Sequence, residues 1–221
     1  MPLVILQTRR RRGLSGTYFS GMSVLNSSGR LSSPYRASDR VSMMALDALT
    51  TMRGRTQKVN SVDDRVGVII ENIKKGEKSG LVHVFAGQAL TDFCGDDWCV
   101  APRDWEGEVD ALHGHIKRNV RYTLDPLGYD TYRSAERTIQ MAFGDCDDIA
   151  AVAGAAFRAI GYQVKVKVIR TTGNDEFHHV YIVVGLPPEN PYSWIAVDPA
   201  YYPSPGEEAP GIQEQKIYEV D

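Results

Sequence analysis

The chain has few cysteines and no long apolar run. Three cysteines, Cys94, Cys99 and Cys146, occur in 221 residues. So low and odd a number argues against a disulfide framework, although a Cys94–Cys99 bridge stays open in an oxidising setting. No segment reaches the roughly 18 apolar residues that a membrane span needs. At the N-terminus the basic cluster follows the apolar residues, the reverse of a signal peptide. We therefore expect no membrane span and no signal peptide.

Acidic residues are scarce at one end of the chain. Residues 1–60 contain two Asp and ten Lys or Arg, so they carry +8 while the remainder carries −11. Seven Ser and four Gly lie between positions 13 and 33, a composition that resists a packed core. We predict that residues 1–60 form an extended basic arm that docks on a protein assembly partner. A solvated tail is the alternative, and because no groove-reading motif accompanies the arginines, nucleic acid is not the expected partner.

Helical spacing dominates the chain after residue 60, and strand-like alternation dominates its end. Two apolar runs at helical intervals predict a helical lead-in over residues 61–105. Further helices follow, and the clearest apolar stripe starts near Cys146 and ends before Gly161. Three strands with short connections are predicted at 162–170, 177–185 and 193–199. Helices first and antiparallel-looking strands afterwards predict an α+β fold, with its core at residues 106–221.

One thiol lies among carboxylates in the stretch GDCDD (144–148). Cys146 opens the apolar helix, where free backbone N–H groups and the positive end of the helix dipole stabilise a thiolate. Adjacent antiparallel strands would place His179 beside Asp198. Nucleophile, base and orienting carboxylate then occur in the order Cys, His, Asp. A lone Cys at a helix start is usually a small buried hydrophobe, so only the three positions together favour catalysis.

These motifs resemble a known superfamily. GDCDDIA, HHVYIVV and WIAVDPA, together with the upstream HIKRNVRYTLDP, are similar to the transglutaminase-like cysteine hydrolases. The resemblance covers roughly residues 62–200 and is strongest toward members encoded by bacteriophages and prophages. It implies a papain-like core, in which the nucleophile helix packs on an antiparallel sheet.

The resemblance also implies a role for each site residue. Cys146 matches the nucleophile, His179 the general base and Asp198 the orienting carboxylate. His178 is the rival base, but strand alternation puts it on the opposite face, in the row of Val180. The backbone N–H of the nucleophile would stabilise an oxyanion.

Three secondary features of the site are left open by the sequence. Tyr122 and Gln140 are candidates for a second oxyanion donor. The carboxylates beside Cys146 should raise the thiol pKa, and contact with an imidazolium can outweigh them. No cofactor is expected, although some relatives bind calcium beside the nucleophile and Asp147 or Asp148 could do so here. One acidic cluster does not complete a shell of six to eight oxygens. Zinc is not expected, because His113 and His115 point to nearly opposite sides of a helix.

The expected function is that of a cysteine-dependent amide hydrolase acting on protein or on peptidoglycan peptide. The motif does not separate hydrolysis from acyl transfer to an amine. The alternative is a phage structural or assembly protein of the tail, neck or capsid, in which the domain is a binding module. Either reading implies synthesis in the host cytoplasm and allows association with the virion.

Overall fold

The structure is a computed structural model that describes residues 61–125 and 130–221, together with a short strand pair in the N-terminal segment. That pair is antiparallel and consists of β1 (Val24–Leu25) and β2 (Leu31–Ser32). Contacts divide the chain into two units, Met1–Arg55 and Thr56–Asp221, and all elements below belong to the second. Apart from β1 and β2, the arm predicted at 1–60 lies outside the described residues, so its docking role stays a prediction.

Two helices open the described part of the chain. α1 (Val62–Gly76) begins after Ser61, which forms a reciprocal capping box with Asp64. Such a box satisfies two backbone N–H groups that a helix start leaves unpaired. α2 (Gly80–Leu90) follows a short turn. The helical pair predicted from apolar spacing is therefore present.

A small hairpin separates this pair from the next helix. β3 (Phe93–Cys94) and β4 (Asp97–Trp98) are antiparallel, and a disulfide joins Cys94 to Cys99 across the turn. The bridge left open by the sequence is thus formed. α3 (Trp105–Asn119) follows, capped by the Asp104 side chain, which accepts the N–H of Gly107.

The central element is α5 (Cys146–Ala159). It is preceded by α4 (Ala135–Met141) and by β6 (Phe143–Gly144), which pairs in parallel with β5 (Arg121–Tyr122). Every residue of α5 from Asp147 to Phe157 is buried, because the other four helices of the described residues and the main sheet pack around it. Most of these positions are alanine or glycine, and their small side chains let the neighbouring elements pack closely against α5.

The main sheet has four strands in the order β10-β7-β8-β9, with every neighbouring pair antiparallel. The strands are β7 (Val164–Thr171), β8 (His179–Leu186), β9 (Ser193–Val197) and β10 (Ile212–Glu219). All eight residues of β8 are buried, since one face lies under α5 and the other under a smaller apolar cluster around Ile169 and Tyr181. The edge strand β10 is absent from the sequence-based expectation.

The fold class is α+β, as predicted. A helix that starts at Cys146 packs on an antiparallel sheet, and the segments before and after residue 105 share one hydrophobic core. No helix within the described residues is long and apolar enough to cross a membrane.

Candidate active site

Cys146 is the first residue of α5, and the local sequence explains why the helix starts there. Asp145 follows β6 directly, has an extended backbone and is the N-cap of α5. Its Oδ1 accepts the backbone N–H of Asp148 at 3.5 Å, and its carbonyl accepts the N–H of Ile149 at 3.0 Å. The thiol therefore lies at the positive end of a fourteen-residue helix, where the dipole favours an anion.

His179 and Asp198 are hydrogen-bonded to each other. Nε2 of His179 lies 2.7 Å from Oδ2 of Asp198, and both side chains are buried. The strand register brings this about, because Ile182 pairs with Val197 and the next residue, Asp198, lies diagonally across from His179 on the same face. The other ring nitrogen, Nδ1, is buried and has no hydrogen-bond partner among the described residues.

Asp198 is itself held by the turn that follows β9. Its Oδ1 accepts the backbone N–H groups of Ala200 and Tyr201 at 3.2 and 3.4 Å, so both carboxylate oxygens are engaged. On the helical side, the fully buried His113 hydrogen-bonds the backbone of Asp198. Burial lowers the pKa of His113, which keeps the imidazole neutral and able both to donate and to accept.

A cavity of about 130 Å³ brings the nucleophile and base candidates together. Cys146 and His179 both line it, with α1 on one side and Asp130 and Tyr132 on another. His178 also lines the cavity, but its exposure and its hydrogen-bond partners differ from those of His179. It is exposed, precedes the first residue of β8, and has its ring near Thr171 Oγ1 (3.3 Å) and the Glu176 carbonyl (3.4 Å). The placement of His178 on the face opposite His179 stays a prediction, because His178 precedes the first residue of β8.

A pair of tyrosines adjoins the histidine. The Tyr201 ring meets the His179 ring edge to face, with centroids 4.6 Å apart and an angle of 86°. The Tyr201 hydroxyl lies 3.0 Å from that of Tyr122. Burial, the Tyr201 hydrogen bond and the nearby Cys146 raise the pKa of Tyr122, so its phenol stays protonated and can donate. Tyr122 as a second oxyanion donor stays a prediction. Gln140 is exposed near the end of α4 and does not line the cavity.

Opposing effects act on the pKa of the Cys146 thiol. Burial raises the pKa of Cys146, and the carboxylates of Asp147 and Asp145 raise it further. Backbone hydrogen bonds from Val180 and Asp147 act in the opposite direction and favour the thiolate. Since Nδ1 of His179 has no partner among the described residues, the ring does not hydrogen-bond the thiol in this state.

The three carboxylates around Cys146 have different environments. Asp148 is bound by Arg133, whose backbone N–H reaches Oδ1 at 2.7 Å and whose guanidinium contacts Oδ2. Asp147 hydrogen-bonds to Asp145, and burial followed by that contact raises the pKa of Asp147 well above its usual range. The remaining oxygen of Asp147, Oδ1, is buried without a partner among the described residues.

These residues do not make a good calcium site. Asp145, Asp147 and Asp148 can bring one oxygen each within 4.8 Å of one another, but Arg133 already occupies both oxygens of Asp148. Calcium takes six to eight oxygen ligands, which leaves the set incomplete. Calcium beside the nucleophile stays a prediction, and the contacts of Asp148 do not favour it. His113 and His115 belong to no metal-ligand cluster within the described residues.

Several of these features have no clear signal in the sequence. Arg133 lies fifteen residues before Asp148, and nothing in the spacing marks the pair. Tyr201 has a weak signal, since an Asp followed by Pro at a strand end is typical of a turn that returns N–H groups to the carboxylate. A larger cavity of about 660 Å³, lined by Lys165, Lys167 and Trp194 among others, does not contain Cys146, His179 or Asp198.

A family model matches part of this chain. Residues 100–199 match the family model described as the transglutaminase-like superfamily, and Cys146, His179 and Asp198 all lie within the matched segment. The resemblance drawn from the motifs is thus confirmed for that segment, while nothing found bears on a phage origin. No curated protein matches the chain.

Two solved structures are distantly similar. One is named "a putative cysteine protease" from Cytophaga hutchinsonii, with 17% identity, a TM-score of 0.41, and coverage of 72% of this chain and 53% of that one. The other is named "a putative protease" from Parabacteroides distasonis, with 17% identity, a TM-score of 0.40, and coverage of 68% and 34%. The chain therefore spans about half the length of the first and a third of the second.

Proposed function

We propose that this protein is a cysteine-dependent amide hydrolase that acts on protein or on peptidoglycan peptide. The observation that carries the proposal is the buried hydrogen bond between His179 Nε2 and Asp198 Oδ2. Nδ1 has no partner within the described part of the chain, and His179 shares a cavity with Cys146. A neutral imidazole that donates through Nε2 carries its lone pair on Nδ1. Nδ1 is then the basic atom for the thiol.

The reaction follows from these roles. His179 Nδ1 accepts the thiol proton as Cys146 Sγ attacks the amide carbonyl, and Asp198 stabilises the imidazolium that forms. The backbone N–H of Cys146, at the start of α5, stabilises the developing oxyanion, and the Tyr122 hydroxyl is the candidate second donor. His179 returns the proton to the leaving amine, and a thioester remains on Cys146. Water activated by the same ring then releases the acid and regenerates the thiol.

Alkylation tests the nucleophile and base without knowledge of the substrate. The rate of Cys146 alkylation by iodoacetamide is measured by mass spectrometry as a function of pH, in the wild type and in His179→Ala. Coupling to His179 predicts a slower reaction near neutral pH in the variant, while His178→Ala matches the wild type. Identical profiles for the wild type and His179→Ala at every pH would sink the proposal.

The second candidate is the assembly role, in which the domain serves as a binding module of a phage particle. One observation favours a non-catalytic reading: burial and the adjacent carboxylates raise the Cys146 pKa, and the thiol and the imidazole are not hydrogen-bonded. Copy number in purified particles separates the two roles. A structural subunit is present stoichiometrically and tolerates Cys146→Ala, whereas an enzyme loses its cleavage products with that substitution.

A further inference from the structure

The cavity beside Cys146 is lined by more negative than positive groups. Asp130, Asp145 and Asp147 contribute carboxylates, and Arg65 contributes a guanidinium from the exposed face of α1. His178 and His179 are its other titratable residues besides Cys146 and Tyr132. The Tyr132 hydroxyl donates to Asp130 at 2.8 Å and so fixes one wall. A volume of about 130 Å³ admits one small group and no second side chain.

One residue that lines this cavity, Asp147, has a buried polar atom without a partner among the described residues. Asp147 is 7% exposed, and its Oδ1 has no hydrogen-bond partner among the described residues. A buried acceptor left in that state is unfavourable, and native proteins rarely retain one without a role. Asp148, by contrast, is already matched by Arg133. The unmatched acceptor is thus specific to the residue that lines the cavity.

The contact of Asp147 with Asp145 indicates which kind of ligand group fits the cavity. Asp147 and Asp145 are hydrogen-bonded to each other, and two carboxylates in contact must share a proton. A group with several N–H donors and a positive charge can replace that proton and also reach the free Oδ1. An ammonium has three donors and a compact charge, whereas a guanidinium is larger and planar.

We propose that this cavity binds a primary ammonium group of the substrate, carried next to the scissile amide as in a lysine-like side chain. The inference rests on the proposed function, since it names the substrate class of the same site. The ammonium belongs to the group being cleaved rather than to an acyl acceptor. An amine held in its charged form between carboxylates has no lone pair for attack on a thioester.

Occupancy of the cavity also changes the nucleophile. The carboxylates of Asp147 and Asp145 disfavour the thiolate of Cys146, and a bound cation offsets their charge. Substrates with the ammonium therefore promote ionisation of the thiol that attacks them. This gives a physical reason for carboxylates on both sides of a candidate nucleophile, since they keep the thiol protonated until the matching group arrives.

Methanethiosulfonate reagents test the proposal directly on the full chain. The Cys146 thiolate attacks the reagent sulfur, a mixed disulfide forms, and methanesulfinate leaves. Rates are compared for the methyl, 2-aminoethyl and 2-(trimethylammonio)ethyl reagents, each divided by its rate with a free thiol in solution. We expect the aminoethyl reagent to react roughly tenfold faster than the methyl reagent, the scale of one charge-assisted hydrogen bond. The trimethylammonio reagent has the same charge without N–H donors and should gain less than threefold.

Three variants define the outcome. The aminoethyl preference is the normalised rate of the aminoethyl reagent divided by that of the methyl reagent. Asp147→Asn should lower this preference at least threefold, and Asp130→Asn, at the exposed rim of the cavity, should lower it too. Asp96→Asn removes one carboxylate charge in the hairpin, outside the cavity, as Asp130→Asn does at its rim, and should leave the preference intact. Equal preference for the two cationic reagents would overturn the proposal, because a general negative potential would then explain both. A preference that survives Asp147→Asn and Asp130→Asn would overturn it too.

The same experiment separates this inference from the proposed function. The rate with the methyl reagent depends on the reactivity of the thiol and not on an ammonium site, so equal methyl rates in the wild type and His179→Ala would count against the proposed hydrolase. The ratio of the aminoethyl rate to the methyl rate would still test the ammonium site. Each measurement is repeated with a chelator and with excess calcium. Loss of the aminoethyl preference in calcium alone would assign the carboxylates to a divalent cation and overturn the ammonium site.

Discussion

Nε2 of His179 lies 2.7 Å from Oδ2 of Asp198 at a position where both side chains are almost fully excluded from solvent. The carboxylate fixes the orientation of the ring and the tautomer in which Nε2 carries the proton. The Tyr201 and His179 rings pack edge to face, and His113 hydrogen-bonds the Asp198 backbone. This histidine is therefore held in place from several directions, in contrast to its neighbour His178.

The two histidines should respond differently to substitution. His179→Ala should reduce amide cleavage by roughly 10²–10⁴-fold, the scale of a positioned general base. His178→Ala should change cleavage by less than about threefold and stability by less than about 0.5 kcal/mol, because its side chain is exposed. Product formation and thermal unfolding of both variants provide the measurement. Greater loss in His178→Ala would show that the exposed ring is the base.

Asp198 should matter for both stability and orientation. Asp198→Ala removes the acceptor for two backbone N–H groups and for the imidazole, and each buried donor left unpaired costs about 1–3 kcal/mol. We expect a clear fall in the melting temperature. Asp198→Asn retains an acceptor for the turn, so it should keep most of the stability while lowering activity. Equal stability of Asp198→Ala and wild type would contradict the described hydrogen bonds.

The sequence predicted the elements whose signal is local. The helix that starts at Cys146, and the strands that carry His179 and lead to Asp198, follow from apolar spacing and a cap residue. The order of these elements was sufficient to predict an α+β fold. Strand alternation also separated His179 from Val180, which lies in the row beneath α5.

Features that depend on distant contacts were not predicted. Strand β10 has mostly polar and exposed residues because it is an edge strand, so its apolar signal is weak, and only pairing with β7 defines it. The Arg133–Asp148 ion pair joins a loop to a helix, and no periodicity encodes such a contact. His178 precedes the first residue of β8, and local alternation does not report where tertiary pairing begins a strand.

The Arg133–Asp148 ion pair gives a pH-dependent prediction. The Asp148 side chain is 0% exposed and Arg133 is 18% exposed. Removal of one partner from such a buried pair costs about 3–5 kcal/mol. Burial raises the pKa of Asp148 to about 6, against the opposing effect of Arg133, and Arg133→Ala removes that opposition. The folded-state pKa then exceeds the unfolded value, so stability is lost as pH rises from the unfolded toward the folded pKa.

Urea unfolding at pH 5 and pH 8 measures this effect. Arg133→Ala should lose more stability at the higher pH, and the double variant Arg133→Ala/Asp148→Asn should recover much of the difference, because a neutral amide is easier to bury. A cost independent of pH would indicate that the arginine acts through packing alone.

Close contact between α1 and α5 depends on a glycine. A Cβ added at Gly154 would lie 2.5 Å from Cδ1 of Ile73, whereas one added at Gly67 meets nothing within 4 Å. Gly154→Ala should therefore destabilise by about 1–3 kcal/mol through overpacking. Gly67→Ala, on an exposed face of α1, should stabilise by up to about 1 kcal/mol through helix propensity. Chemical denaturation of the two variants provides a matched comparison, and equal signs would contradict the packing described.

The ionisation of Cys146 in the resting protein provides the last prediction. Burial raises its pKa, followed by the effects of Asp147 and Asp145, so the alkylation rate should keep rising with pH beyond the point where a free thiol, of pKa about 8.5, has levelled off. Because Asp145 and Asp147 share a proton, one substitution alone leaves a charge behind. Asp145→Asn/Asp147→Asn removes it, and the midpoint should move to lower pH since the thiolate no longer faces an anion. Asn at position 145 can still cap α5, so the helix start is retained. The pH profile of iodoacetamide labelling, with Asp96→Asn as the charge-matched control, measures the shift. A wild-type midpoint below that of a free thiol would mean that His179 and the helix dipole already outweigh the carboxylates, and that the thiol is active without any bound cation.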